Sequence, residues 1–160
     1  MKTNCNFDQR LNAREGTSNR TVSINSGPLR YAQSIRIGAH LLQADEPADA
    51  GGSDIGPNPH ELLMAALGVC ASITAQMYAE RKHWHLQSVR IGVCYNRVLS
   101  ANNITSGAAI GMVDQFEMQI ALSGDLSEEQ RSRLFEIANR CPIHRMLTSA
   151  VKIHSRLLHS

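Results

Sequence analysis

Apolar residues crowd one stretch of this chain. Over NPHELLMAALGVCASITAQMYAE, Asn58 to Glu80, residues Leu62, Leu63, Met64, Leu67, Val69, Ile73, Met77 and Tyr78 leave almost no polar side before Glu80-Arg81-Lys82. The pattern predicts one long helix, apolar on nearly every face, and such a helix is normally buried. Asn58 suits an N-cap, Pro59 the first helical position, and Glu61 the return arm of a capping box. Arg81 and Lys82 suit the negative end of the helix dipole. At roughly 30 Å the helix would run through the middle of a small domain.

Elsewhere the period drops to two. Val22-Ser23-Ile24 reads as a short strand ended by Ser26-Gly27-Pro28. Across Arg30 to Gln43, residues Ile35, Ile37, Ala39 and Leu41 alternate with Ser34, Arg36, Gly38 and His40, which predicts one strand with a single buried face. Val89 to Leu99 and Phe116 to Leu122 alternate in the same way and suit a hairpin with a long hydrophilic tip. A second helix is predicted over Ser127 to Arg140, with Ser127 as N-cap and Gln130 closing its box. Pro142 then opens a further turn with Cys141 at its N-cap, and Val151 to Leu158 reads as a last strand. The order predicts an α+β fold, a mostly antiparallel sheet wrapped around a long buried central helix. Residues 1–20 are polar and aperiodic and are expected to form a flexible arm, with residues 21–160 as a single domain.

Composition narrows the function. The net charge is +2, aromatic residues make up 4 % of the 160, and the longest basic cluster is Arg81-Lys82-His83. Nucleic acid and a membrane surface are therefore not expected as partners. The N-terminal residues lack an apolar run of the signal-peptide kind, so a cytoplasmic location is expected. Four cysteines, Cys5, Cys70, Cys94 and Cys141, stand at wide spacings that do not read as a disulfide framework. In a reducing compartment a disulfide between any of them would be catalytic or redox-sensing rather than structural.

Two of the four stand out. Cys70 lies mid-helix among Ala66, Gly68, Ala71, Ser72 and Thr74, small residues that let another element approach. As a bare residue it also reads as a small core hydrophobe. Gly68 costs a helix about 1 kcal/mol relative to alanine, which asks for a packing or access reason. Cys141 stands where backbone N–H groups and the positive end of a helix favour thiolate, with Arg140, His144 and Arg145 close in sequence. The alternative for Cys141 is that it merely ends a helix. Cys5 and Cys94 carry no such context. Cys141-x-x-His144 with His83-x-His85 is a weak zinc pattern, and a Cys–His nucleophile lacks an evident orienting Asp or Asn.

Three stretches together resemble one family. DEPADAGG (Asp45 to Gly52), GPNPHELLMAALGVCASITAQMYAERKHW (Gly56 to Trp84) and SGDLSEEQRSRLFEIANRCPIHRML (Ser123 to Leu147) are similar to the OsmC/Ohr proteins, over about residues 20–158. The resemblance implies an intertwined homodimer with the long helices enclosed by sheets of both subunits. It implies a thiol-dependent reduction of organic hydroperoxides, with hydrogen peroxide as a further candidate substrate, Cys70 as the peroxidatic cysteine and Cys141 as the resolving one. An external dithiol would reduce the resulting disulfide, and no metal or organic cofactor is implied. Leu63, Leu67, Ile73 and Met77 would line the apolar pocket. The family holds its thiolate with an early arginine and a glutamate two places after the NP asparagine. Arg30 is the candidate arginine, with Arg36 next; the glutamate position holds His60, with Glu61 one place later. The alternative to an enzyme is a non-catalytic, stress-associated dimer or a binder of small apolar ligands.

Overall fold

The structure, a computed structural model, describes residues 21–99 and 112–157. The expected arm over residues 1–20, with Cys5, and the expected hairpin tip over residues 100–111 lie outside the described residues. The chain divides between Leu62 and Leu63 into two compact units.

The first unit carries a three-stranded antiparallel sheet in the order β1 (Val22–Ser26), β2 (Gln33–Ile37), β3 (His40–Ala44). Ile24, Ile35 and Leu42 stand opposite one another across it, as do Ser23, Arg36 and Leu41. The single strand expected over Arg30 to Gln43 is thus two strands. Gly38 and Ala39 form the turn, and Gly38 has φ +60°. A two-residue hairpin needs a positive φ at its first position, which glycine adopts at little cost. Unbroken alternation through Gly38 concealed the turn. The reversal puts Leu42, rather than Leu41, on the face of Ile35.

After β3 the chain coils around one carboxylate. Asp45 is buried and accepts the N–H of Glu46 at 2.8 Å and of Ser53 at 2.9 Å. A 3-10 turn, Ala48–Ala50, fills the interval, and Asp54 N–H donates to the Glu46 carbonyl at 3.2 Å. A Cβ on Gly52 would overlap that carbonyl, so the close approach requires glycine. Asp45 N–H in turn donates to the Pro57 carbonyl at 3.3 Å, which places Asn58 at the head of helix α1 (Pro59–Arg81). There the expected box is complete. Asn58 N–H donates to Glu61 Oε2 at 2.8 Å, and Glu61 N–H to Asn58 Oδ1 at 3.0 Å.

The second unit is built on a long antiparallel ribbon of β4 (His85–Leu99) and β5 (Met112–Asp125). Both strands run further than the alternation predicted, with a bulge between Leu86 and Ser88. Helix α2 (Glu128–Ala138) starts at the predicted capping box of Ser127 and Gln130. Arg131 donates to the carbonyls of Leu122 at 2.6 Å and Gly124 at 3.0 Å, fixing α2 to the end of β5. Helix α3 (Pro142–Leu147) follows. The strand expected over Val151 to Leu158 is absent from its described part, residues 151–157, which have no regular structure. Alternation in so short a segment makes a strand only where a neighbour offers backbone partners. Val151 and Ile153 are exposed.

Helix α1 does not bury its whole circumference. Leu67, Ala71, Ala75 and Ala79, four residues apart, form its buried stripe. Val89, Ile91, Val93, Phe116, Met118 and Ile120 of the ribbon pack against the cluster that this stripe builds. Alanines at the contact let helix and ribbon approach closely. Gly68 belongs to the same contact: an added Cβ would lie 3.4 Å from Val93 Cγ2 and 3.7 Å from Ile91 Cγ2. By length and composition α1 could cross a bilayer, but its caps and its stripe on the ribbon are those of a helix packed on a sheet. The opposite side carries Val69, Ile73 and Met77, which are 57 %, 50 % and 64 % exposed.

Candidate active site

The two cysteines singled out by the sequence come together. Cys70 projects from the middle of α1 and is half-buried; Cys141, at the N-cap of α3, is fully buried. The two sulfurs are close enough to interact, and the interaction favours the protonated form of Cys141. Cys141 lies in the core cluster with Leu67, Ala71, Ala75 and Ala138, and Cys70 and Ile143 pack against that cluster. Of the small residues near Cys70 in sequence, Ala71 therefore makes room for Cys141, whereas Gly68 serves the ribbon.

Local sequence explains how each sulfur is held. Pro142 cannot continue a helix from residue 140, but its fixed φ suits the first position of a new one. Cys141 thereby takes an extended conformation, φ −62° and ψ 157°, and its sulfur accepts the N–H of His144 at 3.4 Å. On α1, Thr74 Oγ1 donates to the Cys70 carbonyl at 2.7 Å. This bond between a threonine and a carbonyl one turn earlier ties down the backbone that carries the sulfur. The Ser-Ile-Thr run after Cys70 was its only signal in the sequence.

The expectation of a thiolate at Cys141 is reversed. Burial pushes its thiol above the ordinary value, and the neighbouring Cys70 pushes the same way. The N–H groups of His144 and Ile143 favour the thiolate, but burial outweighs them. Asp45 shows the opposite balance. Burial would raise it, yet the N–H groups of Ser53, Glu46 and Ile55 hold its carboxyl below the ordinary range. Asp45, which opens the DEPADAGG stretch, is thus the hub of the loop that delivers α1, a role the sequence pattern did not reveal.

The other candidates fall as follows. Arg30 belongs to the first unit and lies over the ring of Tyr31, 4.8 Å from its centroid. Arg36 sits on β2 opposite Ser23 and Leu41. Glu61 is engaged in the helix cap, and His60 is exposed in the first turn of α1. Cys94 is exposed on β4, opposite Glu117. Among the described residues no three His, Cys, Asp or Glu side chains come together as metal ligands.

An open groove of about 380 Å³ runs between α1 and β4, lined by Met64, Ala65, Gly68, Val69, Ser72, Ile91 and Val93. Its lining differs from the residues expected around an apolar pocket, Leu63, Leu67, Ile73 and Met77. Leu67 is instead core, and Ile73 and Met77 are on the exposed side of the helix. Cys70 does not line the groove.

Two neighbouring cysteines, one partly buried on a helix and one fully buried at a Cys-Pro turn, define a dithiol site. A sequence model of the family described as OsmC-like protein matches residues 51–156, and the chain belongs to that family. No curated protein matches the sequence. Solved structures match the fold. An OsmC-like protein from Mycoplasma pneumoniae aligns with a TM-score of 0.60 at 17 % identity, covering 82 % of this chain and 88 % of its own. The organic hydroperoxide resistance protein OsmC from Legionella pneumophila gives 0.60 at 15 %, covering 83 % and 91 %. The organic hydroperoxide resistance protein OhrB of Bacillus subtilis gives 0.55 at 19 %, covering 80 % and 89 %.

Proposed function

We propose that this protein is a thiol peroxidase that reduces organic hydroperoxides. The observation that carries the reading is the closeness of the partly buried Cys70 to the fully buried Cys141. Names of two fold neighbours, the organic hydroperoxide resistance proteins of Legionella pneumophila and Bacillus subtilis, support the substrate class.

In the proposed cycle the Cys70 thiolate attacks the distal oxygen of ROOH. The O–O bond breaks, ROH leaves with a proton, and Cys70 becomes a sulfenic acid. The Cys141 sulfur then attacks the Cys70 sulfur, water departs, and a disulfide joins the two. An external dithiol returns both to thiols. Cys70 is the entry point because Cys141 has no exposed surface for a peroxide to reach. We assign the protein to the cytoplasm, where dithiol reductants are maintained.

We further propose a homodimer in which a second copy covers the exposed stripe of Val69, Ile73 and Met77. Three large apolar side chains in line on one helix are costly to leave in water, and a two-fold partner would present the same stripe in return.

Intact mass decides the peroxidase reading. Reduced protein treated with one equivalent of cumene hydroperoxide should lose the mass of two hydrogens, with Cys70 linked to Cys141 in the peptide map. Unchanged mass with undiminished peroxide would refute it.

A further inference from the structure

We infer that the external thiol enters the oxidised protein at the Cys70 sulfur and expels Cys141, so that the mixed disulfide with the reductant forms on α1 and never on the Cys-Pro turn. The inference rests on the proposed dithiol cycle and assigns its reductive half.

Thiol–disulfide exchange is an in-line displacement: the incoming sulfur approaches along the extension of the S–S bond, from the side away from the leaving sulfur. For attack on Cys141 that line begins behind its sulfur. Cys141 has 0 % exposure and sits in the core cluster with Leu67, Ala71, Ala75 and Ala138. Leu67, Ala71 and Ala75 are themselves at 4 % exposure or below. A thiol would have to open the packing of α1 to reach that line. Cys70 is only partly buried, so an approach from its side of the disulfide has less packing to open.

Leaving-group chemistry alone points the other way. A thiol of raised pKa is the poorer leaving group, and burial raises that of Cys141. Access and acidity therefore predict opposite products, which makes the site of attack a clean discriminator. The His144 N–H, 3.4 Å from the Cys141 sulfur, is placed to receive the charge that develops there as Cys141 departs.

The steps balance with a dithiol as co-reactant. Its thiolate forms a bond to the Cys70 sulfur; the Cys70–Cys141 bond breaks, and its electron pair goes to Cys141, which takes a proton from solvent. The second thiol of the reductant, as thiolate, then attacks its own sulfur in the mixed disulfide. Cys70 leaves as thiolate and the reductant departs as a cyclic disulfide.

A monothiol arrests the sequence after the first step. Full-length protein is oxidised with cumene hydroperoxide in one sample and diamide in another, exposed briefly to limiting 2-mercaptoethanol, quenched in acid, labelled with N-ethylmaleimide and mapped without reduction. The expected map has mercaptoethanol on Cys70 and maleimide on Cys141, with the reverse pattern at least about tenfold scarcer. An adduct on Cys141 in equal or greater amount would overturn the inference. A Cys70–Cys141 disulfide produced by diamide but not by peroxide sinks the peroxidase reading while still deciding the site of attack. If neither oxidant joins the two cysteines, the inference falls with its premise.

Discussion

The sulfurs of Cys70 and Cys141 meet across 71 residues of sequence, one held on a helix and the other at the turn that starts a different helix. They differ in burial, and that difference gives them separate chemical roles. The partly buried cysteine is the one a peroxide can approach, and the fully buried one can only receive what its neighbour has become.

Substitution at each sulfur should therefore fail differently. Cys70→Ser is expected to abolish peroxide consumption. Cys141→Ser should consume about one equivalent and stop, gaining the mass of one oxygen as the Cys70 sulfenic acid. Intact mass with a dimedone trap reads both. A sulfenic acid that persists to be trapped by dimedone in the wild-type protein would show that Cys141 does not resolve the intermediate.

The exposed stripe on α1 predicts the assembly state. Wild-type protein is expected to be dimeric by light scattering, and Ile73→Lys, at a position 50 % exposed in the single chain, should leave a folded monomer. The dimer should also melt at a temperature that rises with protein concentration, as mass action requires. A wild-type monomer at high concentration would remove the basis for the proposed interface.

Asp45 predicts an acid sensitivity. Its folded pKa lies below the ordinary value of 3.8, so the unfolded chain binds the proton more readily. The stability it contributes is complete above the unfolded pKa and is lost as pH falls through the folded one. Asp45→Asn should lower the melting temperature at pH 7 and flatten its decline between about pH 5 and pH 3. Parallel curves for the two proteins would show that the carboxylate is not the hub of the loop.

Leu134 is fully buried on α2 and is among the largest side chains with no exposure. Leu134→Ala should cost about 2–5 kcal/mol, the range for removing a core leucine and leaving part of its cavity behind. Urea denaturation with an unchanged m-value checks it; a loss under 1 kcal/mol would mean that the site collapses around the smaller residue.

Much of this protein was written locally. The caps at Asn58/Glu61 and Ser127/Gln130 and the Pro142 helix start follow from side chains acting within a few residues of themselves, so the sequence alone determined them. The two cysteines were legible as candidates for the same reason, from a mid-helix position and a Cys-Pro junction. What lay beyond the sequence depends on distant neighbours. Alternation ran unbroken through Gly38, whose positive φ reversed the chain. Val151 and Ile153 had a strand pattern without a partner among the described residues. The apolar circumference of α1 left its buried stripe undetermined until the alanines met the ribbon. At Cys141 the helix end argued for thiolate, and the tertiary structure decided otherwise. Its burial beside Cys70 raises the thiol because a charge loses more in leaving water than a few N–H groups return.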